Sequence, residues 1–193
     1  MNTLEKRFNE LQDLLLIFKD TAKGSIELAA QEISKTFIQG NKILICGNGG
    51  SAADSQHFAA EFVNKFSKQI NRTALPALAL TTDTSIITAI SNDSNFDLIF
   101  SRQVEAYGKK GDLIVVFTTS GNSKNCINAV KASKLTGMNS IVFTKTNAEI
   151  SKLADLSIEV PSNNTQHIQE CHIFAYHVIS ELVENSIYGY KNE

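Results

Sequence analysis

The chain is short of arginine, cysteine and proline, and each shortage excludes something. Of 18 basic residues only Arg7, Arg72 and Arg102 are arginines, and 20 acidic residues bring the net charge to −2. Neutralising a nucleic-acid backbone takes a concentrated basic face, so this balance argues against nucleic acid as the main partner. The three cysteines, Cys46, Cys126 and Cys171, are odd in number, widely spaced and set among apolar neighbours. They read as reduced, packed thiols of a cytoplasmic protein, not as a disulfide framework or a zinc knuckle. The two prolines, Pro76 and Pro161, sit at the edges of apolar runs, and there is no repeat, low-complexity stretch or Pro- or Gly-rich linker. The 193 residues are therefore expected to form one domain with a full core. No apolar run approaches the ~20 residues of a membrane span, and the charged opening MNTLEKRFNELQD does not read as a signal peptide.

What is present alternates between two periods. Leu4, Phe8, Leu11, Leu15, Phe18, Ile26, Ala30, Ile33 and Phe37 recur at helical spacing, with Gly24 a candidate break between two helices. A leading helix with no neighbour in sequence order to cover it is expected to pack on the domain and against a second subunit. Apolar runs at 43–46, 77–80, 112–117, 140–144 and 156–160 read as strands. Helices are expected near 51–62, 85–90, 96–106, 123–135 and 166–186, with SNDSN at 91–95 as a turn. Short apolar strands alternating with helices indicate an α/β protein, a parallel sheet flanked by helices on both faces.

Two loops share one design. CGNGGSA follows the first strand and TTSGNSK the third, each opening a helix. The run G-N-G-G-S is not G-x-G-x-x-G, no acidic residue follows at ribose-binding distance, and no Gly-Lys-Ser/Thr completes a P-loop. Helix N-termini with neutral hydroxyls nonetheless suit a phosphate monoester. If the loops are neighbours, Ser51, Thr118, Thr119, Ser120 and Ser123, with the glycine backbone, line one pocket. Strand–glycine–helix turns are common for purely structural reasons, and it is the coincidence of two that points to a phosphate.

His57 and Glu61 stand four apart on one helix face, and the remaining histidines, His167, His172 and His177, fall in one segment with Gln169 and Glu170. Uniform scatter would rarely produce this, so a site shared by the two helices is expected. Spacing alone does not choose its members. Gln169 and His177 are separated by about 12 Å of helical rise, near the limit for converging on one ion, and His172 and Glu170 remain alternatives. Imidazole with carboxylate and amide oxygen suits Zn²⁺ or a similar divalent ion.

Taken together, CGNGGSAADSQHFAAE, ALTTDTS, SNDSNF, FSRQVEAYGKKGD, TTSGNS and IQECHIFAYH resemble the sedoheptulose 7-phosphate isomerase (phosphoheptose isomerase) family of sugar isomerase (SIS) domains. The resemblance runs over nearly the whole chain. It implies a single SIS domain with a five-stranded parallel sheet: helices of residues 1–37 for oligomerisation, an α/β core over 38–193, and a cytoplasmic homotetramer with sites at subunit interfaces. It implies conversion of sedoheptulose 7-phosphate to D-glycero-D-manno-heptose 7-phosphate through an enediol, in heptose biosynthesis. It implies zinc held by His57, Glu61, Gln169 and His177, with Glu61 and His177 as catalytic acid/base groups. Phosphate then falls to Ser51, Thr118, Thr119, Ser120 and Ser123 and sugar hydroxyls to Asn48 and Asp93, with Gly49, Gly50 and Gln169 completing the substrate-binding set.

Two positions depart from the family's common pattern: Lys65 and His167 stand where arginines are usual, and both bear on which sugar phosphate fits. The alternative is a non-catalytic SIS protein, a sugar-phosphate sensor or a replication-initiator-associating module. FVNKF after Glu61 has some likeness to the latter, but a scaffold has no evident need for both Glu61 and His177.

Overall fold

The computed structural model describes residues 2–189. Strands β1 (Ile43–Gly47), β2 (Ala77–Ala79), β3 (Leu113–Phe117), β4 (Asn139–Lys145) and β5 (Leu156–Val160) form one parallel sheet in the order β2-β1-β3-β4-β5. β1 and β3 are buried at every position, as central strands covered on both faces must be. Alternation sorts their side chains: Ile43, Ile45, Val115 and Phe117 face one layer, Leu44, Cys46, Ile114 and Val116 the other. The first layer is α1 (Thr3–Ile38), α2 (Gly50–Val63) and α6 (Thr165–Tyr188); the second is α4 (Ser101–Tyr107) and α5 (Lys124–Thr136). Helix α3 (Thr84–Asp93) stands at the rim and has no buried residue.

Three expectations about the elements need correction. Gly24 does not divide the first helix: α1 is continuous over 36 residues. A mid-helix glycine costs about 1 kcal/mol, and α1 buries Phe18, Ala22, Ile26, Ala29 and Ile33 on either side of it while lying along α6. Burial of one such large side chain outweighs that cost. The turn expected at 91–95 is shorter, because α3, capped by the Asp83 side chain, continues through Asp93. The helix expected over 96–106 is a 3-10 turn, Phe96–Leu98, started by the Asn95 side chain, followed by α4. A second 3-10 turn, Glu149–Lys152, is too short to leave a periodic signal. Among the described residues no helix is long and apolar enough to cross a membrane.

His172 belongs to this core. Its ring lies 5.9 Å from that of Phe117 and 5.7 Å from that of Phe143, fully buried, and neither nitrogen makes a hydrogen bond of normal geometry. Burial pushes its pKa down to about 3, the Thr144 backbone offsetting only part of the effect. The unfolded chain takes up a proton here near pH 6.5, its ordinary value, and the native state does not until about pH 3. His172 therefore withdraws stability as pH falls through that window and none above it. His172→Leu is expected to flatten the fall of the urea midpoint between pH 6.5 and 4; parallel profiles for the variant and wild type would contradict this.

Candidate active site

β1 and β3 pair directly, from Ile43 with Leu113 to Gly47 with Phe117, so the loops that follow them open side by side. The chain leaves β1 toward β2 on one side while β3 lies on the other, which makes this the point where the strand order reverses. The loops are locked by a reciprocal amide pair: Asn48 Nδ2 donates to Asn125 Oδ1 and Asn125 Nδ2 to Asn48 Oδ1, both at 2.8 Å. Gly49 takes φ +58°, which a side chain rarely adopts. At Gly50 an added Cβ would stand 2.5 Å from Gln169 Nε2 and 2.7 Å from its Oε1, so a side chain there would push the end of the Gln169 amide aside.

Of the five expected hydroxyl residues, Ser51 and Thr118 are buried, Thr119 and Ser123 half-buried and Ser120 exposed. Thr118 Oγ1 accepts from Gly121 N and donates to Ser123 Oγ, and Ser120 Oγ accepts from Asn122 N, so these shape their own loop. Among the described residues Ser51 and Thr119 spend their hydroxyls on no protein partner. Five helices have ten residues or more; Asn2, Asp83 and Asn164 side chains cap α1, α3 and α6, whereas α2 and α5 have no side-chain cap. Ser51 and Ala52 N–H at the start of α2 bond to the Asn48 and Gly49 carbonyls, and Cys126 N–H at the start of α5 to Asn125 Oδ1. The N–H groups of Gly50, Lys124 and Asn125, without a partner among the described residues, and the positive ends of both dipoles are left for an outside acceptor.

Further along α2, His57 Nε2 lies 2.9 Å from Glu61 Oε1, and Tyr176 Oη lies 2.9 Å from His57 Nδ1. The phenol fixes the imidazole and leaves Nε2 toward Glu61. The His177 ring centroid is 5.1 Å from that of His57, and ligand atoms of His57, Glu61 and His177 all fall within 4.8 Å of one another. Burial, and then the charge of His57, pull the His177 pKa below its ordinary value against the opposing pull of Glu61, so its ring is neutral at pH 7. Burial pushes the Tyr176 phenol up, helped by Asp54 and Glu61, and it stays protonated.

Asp54 was missed in the sequence. It is buried one turn before His57 and accepts from Gln169 Nε2 at 2.9 Å. Burial raises its pKa, while the Gln169 hydrogen bond and His57 hold it back. Its signal was available: 54, 57 and 61 share one helical stripe. Gln169, with its Nε2 engaged, has an Oε1 beside Gly50 that makes no hydrogen bond among the described residues.

Other expected members lie elsewhere. His172 is in the core, and His167 is buried with Nε2 3.9 Å from Glu10 of α1. Glu170 keeps a buried Oε2 without a hydrogen-bond partner among the described residues. Lys65 is exposed beyond the end of α2. Asp93 is exposed at the last turn of α3, takes a hydrogen bond from Asn92 and touches neither cluster.

Residues 7–145 match the family model described as SIS domain. The phosphoheptose isomerase of Akkermansia muciniphila is 48% identical over 167 residues, 86% of this chain and 87% of that protein. That of a Synechocystis strain is 46% identical over 183 residues, covering 94% and 93%. Among solved structures, the phosphoheptose isomerase of Neisseria gonorrhoeae superposes with a TM-score of 0.88 at 39% identity, covering 95% of this chain and all of that one.

The uncapped helix starts predict an anion effect. Millimolar inorganic phosphate is expected to raise the thermal midpoint, and Ser51→Ala/Ser123→Ala to reduce that rise; an undiminished rise would put the anion elsewhere.

Proposed function

This chain belongs to the SIS-domain family and, within it, to the phosphoheptose isomerases, and on that premise we propose that it converts sedoheptulose 7-phosphate to D-glycero-D-manno-heptose 7-phosphate in heptose biosynthesis. The observation that carries this reading is the convergence of Glu61 of α2 with His177 of α6, on the helix whose uncapped start opens beside that of α5. Ser51 and His57 are six residues apart, about 9 Å of axial rise, which suits a substrate whose phosphate is several carbons from its reacting end. A non-catalytic role would have no use for that convergence.

The residues divide the chemistry. Hydroxyls of Ser51, Thr118, Thr119, Ser120 and Ser123, with the backbone at Gly49 and Gly50, hold the phosphate at the helix N-termini. Asn48 and Gln169 meet sugar hydroxyls, and Asp93, exposed in one chain, does so in a site completed by assembly. Glu61 removes the C1 proton as the C2 oxygen gains one, and returns it to C2 once the enediol has formed. His177, neutral through burial, accepts a proton from one of the two oxygens and passes it to the other. Asp54 holds the Gln169 amide by its nitrogen, which leaves Oε1 to face the site.

The donor set fits a divalent cation: two imidazoles and a carboxylate already lie within 4.8 Å, and among the described residues the Gln169 oxygen has no competing partner. His57, Glu61, Gln169 and His177 would hold Zn²⁺, whose charge would stabilise the enediolate. We assign the protein to the cytoplasm, in keeping with its three free, buried cysteines. We assign it to a homotetramer on an apolar groove of about 680 Å³ between α1 and α6, where Phe8 is 67% and Phe174 51% exposed.

Glu61→Gln is expected to lower kcat by about 10²–10⁴-fold with the thermal midpoint retained. Wild type in deuterated water should wash out the C1 proton of bound substrate; no exchange in the metal-loaded protein would overturn the enzyme reading. Elemental analysis should find a divalent ion, and sedimentation a tetramer; a metal-free active enzyme would remove the zinc assignment, and a monomer at micromolar concentration the assembly.

A further inference from the structure

The end of α2 opposite the phosphate loops is held by an ion pair that belongs to neither cluster. The segment 64–76 carries Arg72 back beneath the last turn of the helix. Its Nη2 donates to the Glu61 carbonyl at 2.7 Å, its Nη1 to the Phe62 carbonyl at 2.8 Å and to Thr73 O at 3.0 Å. Its Nε donates to Glu184 Oε1 at 2.6 Å. Glu184 also accepts from Phe66 N at 2.9 Å and Ser67 N at 3.0 Å. The two side chains are 0% and 1% exposed.

A helix ends in carbonyls without intrahelical partners and at the negative end of its dipole. The guanidinium meets both needs, and its planar fork does so in a fixed direction, as a lysine ammonium does not. A buried ion pair is no evidence for stability, since apolar residues of like volume often serve as well. What this pair does that apolar residues cannot is bond one helix end, at the carbonyl of Glu61 itself, to another helix. Glu184 lies seven residues, two turns, beyond His177 and on the same face of α6. Each partner therefore acts on one half of the cluster.

We propose that Arg72 and Glu184 are positioning residues that set the last turn of α2 against α6, and with it the approach of Glu61 to His57 and His177. This rests on the reading of Glu61 and His177 given above.

Two variants test it. Arg72→Lys retains the charge but cannot reach Glu184 and both carbonyls together. Arg72→Met/Glu184→Leu removes both charges at similar volume, leaving no unpaired ion to prevent folding. Each is assayed for kcat, KM, thermal midpoint and, after metal stripping, Zn²⁺ affinity by chelator competition. The expected result is kcat lowered about 10-fold or more and Zn²⁺ affinity lowered about 10-fold. KM should change little, because the phosphate loops lie at the other end of α2. Folded variants with lower thermal midpoints but wild-type kcat and Zn²⁺ affinity would make the pair a brace of the fold alone and overturn the proposal. If wild type itself neither takes up Zn²⁺ nor turns over substrate, the underlying reading fails in that control, and the proposal with it.

Discussion

The parallel pairing of β1 with β3 is the constraint on which the site depends. Because these strands are neighbours in space but not in sequence, two loops some seventy residues apart become one surface. The Asn48–Asn125 amide pair then fixes the loops to each other, and Asn125 Oδ1 takes only the Cys126 N–H among the first donors of α5. The N–H groups of Gly50, Lys124 and Asn125 stay without a protein partner among the described residues, whereas the Asp83 and Asn164 side chains cap the helices they start.

Helix α2 transmits that arrangement to the chemistry. Its start is open to a ligand, its middle bears Asp54 and His57, and its end carries Glu61 against a buried guanidinium. The polarity is internally consistent: the positive end of the dipole is left for an anion and the negative end is met by a cation inside the protein. α6 supplies the opposing surface, with Gln169 beside the open end, His177 at the cluster and Glu184 at the closed end.

Much of this was legible in the sequence, for identifiable reasons. Strands buried on both faces leave continuous apolar runs, and all five were found within a residue or two. The two candidate phosphate loops followed from motif and a site shared by α2 and α6 from the clustering of histidines, while the choice of His57, Glu61 and His177 within it came from the family resemblance. The break at Gly24 was misjudged because local propensity was weighed without the packing along α6 that overrides it. The histidines of α6 were over-collected, because proximity in sequence is not proximity on a helix. At 100° per residue Gln169 projects about 80° to one side of His177, toward α2, and His167 about 80° to the other, toward α1. His172, about 140° away, turns into the sheet. Asp54 and Arg72 went unread because their partners are over a hundred residues distant in sequence.

The contact of Gly50 with Gln169 has a consequence for how such chains diverge. A methyl group at position 50 would need the space that the amide at 169 occupies. The two positions are coupled: a larger residue at the first displaces the flexible end of Gln169, and with it the hydrogen bond to Asp54. A chain that fills the loop at position 50 therefore loosens the amide that faces the site.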